Sequence, residues 1–484
     1  MIPGFRICHY RYVPPGLILA LLALSLYGQA SKRKAVYLTF NKARPVLEAL
    51  DEILPAELKN KNATELAAAW PNWIARRDAD IRSRLALGDE DSLINLLLFG
   101  TSFTREPRIT SKEIVELAQI ENRTLPATSA ASRTLQARVK DLIKGLTTPG
   151  TNERLLFARR VLIQRAGHDP RTAAGRAQLP DYLLKGVARV LNEQASYAKA
   201  LAAARLLGDT TEEFSERSRM YRTRGLSSDT SLLPNFGLED SLKAMQSRGL
   251  IQRGSVRRIA VIGPGLDFTD KQEGYDFYPQ QTIQPFAIVD SVLRLGLGRS
   301  DNLQVVTFDL SPRVNDHLER AKERAQRGLS YVVQLPRDPN ATWKPAAVQY
   351  WTQFGDQIGT PTAPVDIPNS VTGLKVRAVR IRPAVVSRVT PEDLNIVLQH
   401  PDQAADGFDL IIATNIFLYY DTFEQSLAML NVQEMLRPGA FLLSNNVLLE
   451  LPFSRVRAVD YQTVIYSDRP DDGDHIIWYQ RLPD

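Results

Sequence analysis

Ile259-Ala-Val-Ile-Gly-Pro-Gly-Leu-Asp267 is a run of four apolar residues leading into a turn built on Gly263 and Gly265. A short apolar run closed by such a turn reads as a strand buried on both faces, as in a parallel sheet. Glycine at both turn positions lets the backbone reverse tightly and approach a ligand with no side chain in the way. Taken alone, the same pattern also describes an ordinary strand exit. The residues downstream decide the fold class. Strands are expected at Arg258–Ile262, Leu303–Phe308, Lys375–Ile381, Phe408–Ala413 and Ala440–Asn445, and helices at Gln284–Leu295, Arg313–Arg327, Pro391–Gln399 and Thr422–Leu436. This alternation predicts an α/β fold, a Rossmann-like doubly wound and mainly parallel sheet. Ala458–Tyr466 and His475–Arg481 would close it with an antiparallel pair. Residues 336–374, with six prolines, Trp343 and Trp351, read as an insertion.

Ligands of such sheets sit beyond the carboxyl ends of the strands, where the strand order reverses. The second expected strand ends Val305-Val-Thr-Phe-Asp309, and an acid at that place accepts hydrogen bonds from the hydroxyls of a ribose. The fourth runs Phe408-Asp-Leu-Ile-Ile-Ala-Thr-Asn415 and puts a polar residue at its mouth, ahead of Tyr419 and Tyr420.

Upstream the pattern changes. Residues 35–245 are rich in Ala, Leu, Arg and Glu at helical spacing, as in Leu155-Leu156-Ala158-Val161-Leu162, and predict an all-helical domain. No self-similar period supports a helical solenoid. The turn-rich 224–237 and the amphipathic 238–250 place the start of the α/β domain, 250–484, near there. At the front, Arg6 and Arg11 precede the apolar run Leu17–Leu26, and Gly28-Gln-Ala30 follows it, so residues 1–31 read as a signal peptide or a membrane anchor. The run is shorter than the ~20 residues of a membrane span. Basic residues after it (Lys32, Arg33, Lys34, Lys42, Arg44) outnumber those before, which predicts a membrane-associated protein with its body on the cytoplasmic side. Export after cleavage and a start codon assigned too early are the alternatives.

Composition narrows the function classes. A chain of 484 residues exceeds what one core holds and predicts two or three units. The net charge of +6, with no block of five basic residues, argues against a nucleic-acid partner. The one cysteine, Cys8, leaves the folded part without a disulfide, a thiol nucleophile or a thiolate zinc site. The five histidines are scattered singly, with no pair on one helix face to hold a metal.

Together the glycine turn, Asp309, the strand Phe408-Asp-Leu-Ile-Ile-Ala413 and the stretch Leu436-Arg-Pro-Gly-Ala-Phe-Leu-Leu443 resemble the class I S-adenosylmethionine-dependent methyltransferases over the C-terminal half. Within that class the chain is most similar to the chemotaxis-receptor methyltransferases: Asn415, Tyr419 and Asp421 meet their Asn-x-x-x-Tyr-x-Asp pattern, Gln284-Pro-Phe286 loosely matches their Glu-Pro-Tyr step, and Phe103-Thr-Arg-Glu106 is similar to their Phe-Phe-Arg-Asp stretch. The resemblance implies S-adenosylmethionine as cofactor, held by Gly263, Pro264, Gly265, Asp267, Asp309, Leu310, Asn415 and Ile416. It further implies that Tyr419 orients a reactant and that Arg105 reaches the pocket to hold an acidic acceptor, itself an unknown protein or small molecule. The plain reading of Arg105 is a surface turn after a helix.

The chain also departs from the pattern. Leu266-Asp267 stands where a third glycine is usual, Val261 where an acid is often found, and Gln284 where the family has glutamate. Asp267, Asp270 and Asp276 are candidate substitutes, and the rings of Tyr275-Asp-Phe-Tyr278 could face a sulfonium; surface acids and edge-packed aromatics are the plain alternative. These losses admit a rival reading, a non-catalytic, membrane-tethered binding or sensing module on the same fold. A nicotinamide-dependent oxidoreductase is disfavoured because its third fingerprint glycine would be Phe268.

Overall fold

The structure, a computed structural model, describes residues 35–109, 113, 129–207, 225–268, 275–369, 371–402, 407–469 and 472–483. The expected targeting segment 1–31 and Asp270 lie outside them. From Ala35 onward the chain forms one compact unit. No described helix is long and apolar enough to cross a membrane.

In chain order the described elements begin with strand β1 (Ala35–Tyr37) and helices α1 (Phe40–Ala49), α2 (Ala63–Phe99), α3 (Ala130–Thr147), α4 (Glu153–Val161), α5 (Ala173–Leu207) and α6 (Leu233–Ser247). The α/β part follows: β2 (Arg258–Ile262), α7 (Gln284–Arg294), β3 (Gln304–Asp309) and α8 (Pro312–Gln326), then β4 (Tyr331–Arg337), α9 (Pro345–Gln353), β5 (Gly359–Thr362) and β6 (Lys375–Ile381). It ends with α10 (Pro383–Val386), β7 (Val389–Asp393), β8 (Gln399–Pro401), β9 (Phe408–Ala413), α11 (Thr422–Met435), β10 (Leu436–Ser444), β11 (Val456–Ile465) and β12 (Gly473–Arg481).

Seven strands make the main sheet, in the order β11-β12-β10-β9-β2-β3-β7. The run β7-β3-β2-β9-β10 is parallel throughout and has the 3-2-1-4-5 order of a doubly wound sheet. β12 then enters antiparallel between β10 and β11, the closing pair expected from the sequence. Two expectations are corrected. Lys375–Ile381 is not the third strand of this sheet; it pairs antiparallel with β4 and β5 in a separate three-stranded sheet. The third strand is β7, which overlaps the start of the stretch 391–399 expected to be helical. The insertion is accordingly larger than 336–374, since β4 begins at Tyr331 and β6 ends at Ile381.

Side chains alternate across a strand, so each central strand feeds two cores. Ile259, Val261, Val305, Leu410 and Ile412 face α6, α7, α8 and the three-stranded sheet. Ala260, Ile262, Val306, Phe308, Ile411 and Ala413 face the other way, onto α11 and onto Leu38, Val46, Leu47, Trp70, Trp73 and Ile81 of the N-terminal segment. The connection from β10 to β11 contains no helix. On this face α1 and the first half of α2 do the covering. β1 pairs with β8, which ties the N-terminal residues to the α/β part. Residues 35–81, helical by composition, thus belong by packing to the sheet.

α2 starts on a capping box, with the Asn62 side chain accepting from the Glu65 amide while Glu65 accepts from the Asn62 amide. Its 37 residues carry it past the sheet edge, and Leu93–Phe99 enter a third core with α3, α4 and α5. Phe268, from the loop after the glycine turn, is buried in that helical core.

Candidate functional site

β2 ends at the point of reversal: its neighbours β3 and β9 lead to opposite halves of the sheet. A cleft of about 810 Å³, counted out to its open mouth, lies there. Gly263, Gly265, Asp309, Leu310, Asn415, Ile416 and Tyr419 all line it. Seven residues chosen from sequence thus meet in one cavity. Pro264 and Asp267 are absent from its lining, and so is Arg105, which is exposed on the turn after α2.

The glycine turn needs its glycines. Gly263 and Gly265 have φ of 63° and 66°, where side chains are strained. A Cβ on Gly263 would lie 2.3 Å from Ile416 Cδ1, and one on Gly265 would lie 2.6 Å from the Ser228 carbonyl. The second contact shows that the protein itself, and not only a ligand, leaves no room for a side chain at Gly265. A strap, residues 225–230, runs over the turn and roofs the cleft: the Leu266 amide donates to the Ser228 carbonyl at 2.6 Å, and Ser227–Thr230 line the cavity.

Asp309 sits at the exit of β3. Its Oδ1 accepts the Ser311 amide at 2.8 Å, and the Asn315 side chain closes the turn on its carbonyl. Burial pushes its carboxyl up to about 6, against the lowering by the Ser311 and Gly265 amides and by Arg313. Beside it Leu310, Phe308, Leu394 and Ile396 make an apolar wall. Leu394 and Ile396 follow β7 and were not read from the sequence, because that stretch was expected to be helix. Across the cleft Asn415, at φ 59°, exchanges amide hydrogen bonds with Asn445, and the Gln284 side chain donates to the Thr414 hydroxyl. Arg84 donates to the Tyr419 carbonyl, and Leu85 closes the cavity from α2.

The candidate substitutes for the missing acids have other work. Asp276 is buried and accepts four hydrogen bonds from the amides and hydroxyls of Thr101 and Ser102, which docks the turn after α2. Asp267 lines a neighbouring pocket and accepts from Tyr278 and Gln281. The rings of Tyr275 and Tyr278 face the guanidinium groups of Arg108 and Arg154, so arginines stand at the rings that were candidates to face a sulfonium. Asp421 is the N-cap of α11, in a capping box with Glu424.

No family pattern and no curated protein sequence matches the chain. Among solved structures it is similar to the N-methyltransferase NodS of Bradyrhizobium japonicum WM9 in complex with S-adenosyl-L-homocysteine, at 13% identity and a TM-score of 0.24 over 60% of this chain and 100% of that one. It is also similar to a TehB-like SAM-dependent methyltransferase of Corynebacterium glutamicum, at 9% identity and a TM-score of 0.20 over 59% and 97%. Likeness at this level adds nothing to what the sheet order and the cleft carry by themselves.

Proposed function

We propose that the chain is an S-adenosylmethionine-dependent methyltransferase of unknown acceptor. The supporting observation is the cleft at the sheet's reversal point, where a positive-φ glycine turn, a buried carboxylate at the second strand's exit and an apolar wall converge. These fit a nucleoside: Asp309 accepts the ribose hydroxyls, Leu310, Leu394 and Ile396 flank the base, and the glycine turn lets the rest of the ligand lie against backbone. Bound there, the sulfonium would supply a methyl group to the lone pair of an acceptor, its bonding electron pair staying with sulfur. The protein's part is positioning. Asn415, Tyr419 and the Gln284–Thr414 pair supply the polar groups near the turn.

A dinucleotide fits less well. Its pyrophosphate rests on a helix N-terminus directly after the glycines, and here α7 starts only at Gln284 while Phe268 is buried among helices. Of the finer likeness to chemotaxis-receptor methyltransferases, Asn415 and Tyr419 in the cleft are the support; Asp421 caps a helix and Arg105 lies outside the lining, so an acidic acceptor held by Arg105 gains none. The non-catalytic reading is favoured by Val261 and Gln284 standing where acids were expected, and would give binding without turnover.

Calorimetric titration of the full chain with S-adenosylmethionine and S-adenosylhomocysteine tests the reading; no binding of either sinks it. Asp309→Asn is expected to weaken binding about 10- to 100-fold, the range for hydrogen bonds to a charged group. The wild type should bind more tightly as pH rises from 5 to 7, because the carboxylate that accepts the hydroxyls forms as pH passes about 6. Asp309→Asn should lose that slope. Ligand-free stability should run the other way. The folded chain holds this proton above the ordinary ~3.9 of an aspartate, so stability falls as pH rises from about 4 through about 6.

The apolar Leu17–Leu26 run supports a membrane tether with the body on the cytoplasmic side. Fractionation with protease protection should find the chain in the membrane pellet and digestible from the cytoplasmic face. Recovery outside the cell, cleaved after Ala30, would overturn the tether.

A further inference from the structure

Arg313 stands in the first turn of α8, four residues beyond Asp309. Its guanidinium lies 4.1 Å from the ring centroid of Phe157 on α4 and 5.1 Å from that of Phe268 in the loop after the glycine turn. The two rings meet edge to face. From this aromatic slot Arg313 donates through Nη2 to the hydroxyl of Ser228, the strap residue whose carbonyl holds the Leu266 amide. Its Nε and Nη1 are sealed from solvent with no hydrogen-bond partner among the described residues. One cation therefore touches the roof of the cleft, the helical core and the post-glycine loop, from a base next to the ribose carboxylate.

We infer that Arg313 is a positioning residue that latches the 225–230 strap over the cleft. The inference deepens the nucleoside-binding reading and rests on it for its ligand arm alone. A guanidinium stacked on two rings is held in one orientation, so its hydrogen bond fixes Ser228, and Ser228 in turn fixes Leu266 and the glycine turn. The charges around Arg313 are Asp89 on α2, Asp229 on the strap, Asp309 and, opposing, Arg160 on α4. Those around Asp309 are Arg313, Asp393 on β7 and the neutral Tyr420 hydroxyl after β9. Held in place by the latch, Arg313 is the positive group of that set, and its second role, the tuning, is to favour the ionised form of Asp309 that a ribose needs.

The test compares wild type, Arg313→Met, Arg313→Lys and Ser228→Ala as full chains. Hydrogen exchange reads the latch without any ligand: protection across residues 225–232 and 263–268 should fall about tenfold or more in Arg313→Met, the equivalent of one hydrogen bond from a charged donor. Ser228→Ala should show the same loss, and Arg313→Lys should restore part of it. The midpoint of the pH dependence of S-adenosylhomocysteine binding reads the second role. It should move up by about one unit in Arg313→Met, recover in Arg313→Lys and stay put in Ser228→Ala. Unchanged exchange in a folded Arg313→Met overturns the latch, and an unchanged midpoint overturns the tuning. If Arg313→Met does not fold, Ser228→Ala decides the latch and Arg313→Lys the tuning, where a midpoint displaced as far as by loss of charge overturns it. If wild type binds no S-adenosylhomocysteine, the functional reading fails and the ¹³C titration of the Asp309 carboxyl replaces the binding midpoint: an upward shift in Arg313→Met supports the tuning, and an unmoved titration overturns it.

Discussion

Arg138→Ala is expected to lower the free energy of unfolding by about 4 kcal/mol, because two buried and two partly buried carbonyls lose their donor at once. Arg138 is fully buried on α3, and burial pulls its guanidinium down to about 10, still charged at neutral pH. Its Nε donates to the Leu97 carbonyl at 2.7 Å, Nη1 to the carbonyls of Glu106 and Pro107 at 2.9 and 3.0 Å, and Nη2 to Gly100 at 2.5 Å. Leu97 belongs to the last turn of α2, whose carbonyls have no helical partner, so the cation both closes that helix and complements its negative end. Phe103 covers it at 5.2 Å. Thermal unfolding followed by circular dichroism should show the loss, and Arg138→Lys should recover only a part, since an ammonium cannot span the planar fork. A variant as stable as wild type would mean that water replaces the guanidinium freely.

Arg154→Ala should reach further, into binding. Arg154 is buried on α4 and donates to the carbonyls of Phe268 at 2.5 Å, Tyr278, and Asp267 at 3.1 Å. These three carbonyls belong to the loop that leaves the glycine turn. Losing their donor should cost about 3–5 kcal/mol of stability, and it frees the segment next to Leu266, which anchors the strap. We expect affinity for S-adenosylhomocysteine to fall at least tenfold, measured by calorimetry at a temperature where the variant is folded. Wild-type affinity in a destabilised but folded variant would show that the glycine turn holds its shape without the helical half.

The parts of the fold that could be read in advance are the strands buried on both faces. Ile259–Ile262, Val305–Phe308 and Phe408–Ala413 are largely apolar runs because helices cover both sides, and their exits carried Gly263, Gly265, Asp309 and Asn415 into the cleft as expected. β7 was hidden. Its Val389-Thr-Pro-Glu-Asp393 has a proline followed by acids, which is how helices start. The sheet accepts that proline because β7 is an edge strand with β3 as its only sheet neighbour. Missing it meant missing Leu394 and Ile396. The regular alternation of Lys375–Ile381 drew the assignment instead, since a strand of a small antiparallel sheet shows the same period.

The strap and Leu85 were illegible for another reason. Gly225 and Gly88 are small because two backbones cross there, a Cβ on either falling 1.9 Å from the other segment. Nothing local to 225–230 or to α2 announces a meeting between residues so far apart. Arg105 was singled out on a short likeness: the turn it sits on is fixed by Asp276, through Thr101 and Ser102, and its side chain is exposed, outside the lining of the cleft.

The covering of one sheet face by residues 35–81 also bears on how the chain is made. Lys42 of α1 bonds Glu434 of α11, 392 positions away, and Leu38, Val46, Trp70 and Trp73 find their partners on strands and a helix near the other terminus. Residues 35–81 leave the ribosome long before the strands they cover and are therefore among the last to be buried. Contacts this distant in sequence close slowly, and until α11 and β10 emerge an apolar helix pair with two stacked tryptophans, Trp70 and Trp73, stays open to chaperones and to neighbouring chains. A fragment beginning near residue 245 would carry the complementary defect, a finished sheet with one side covered by α11 alone.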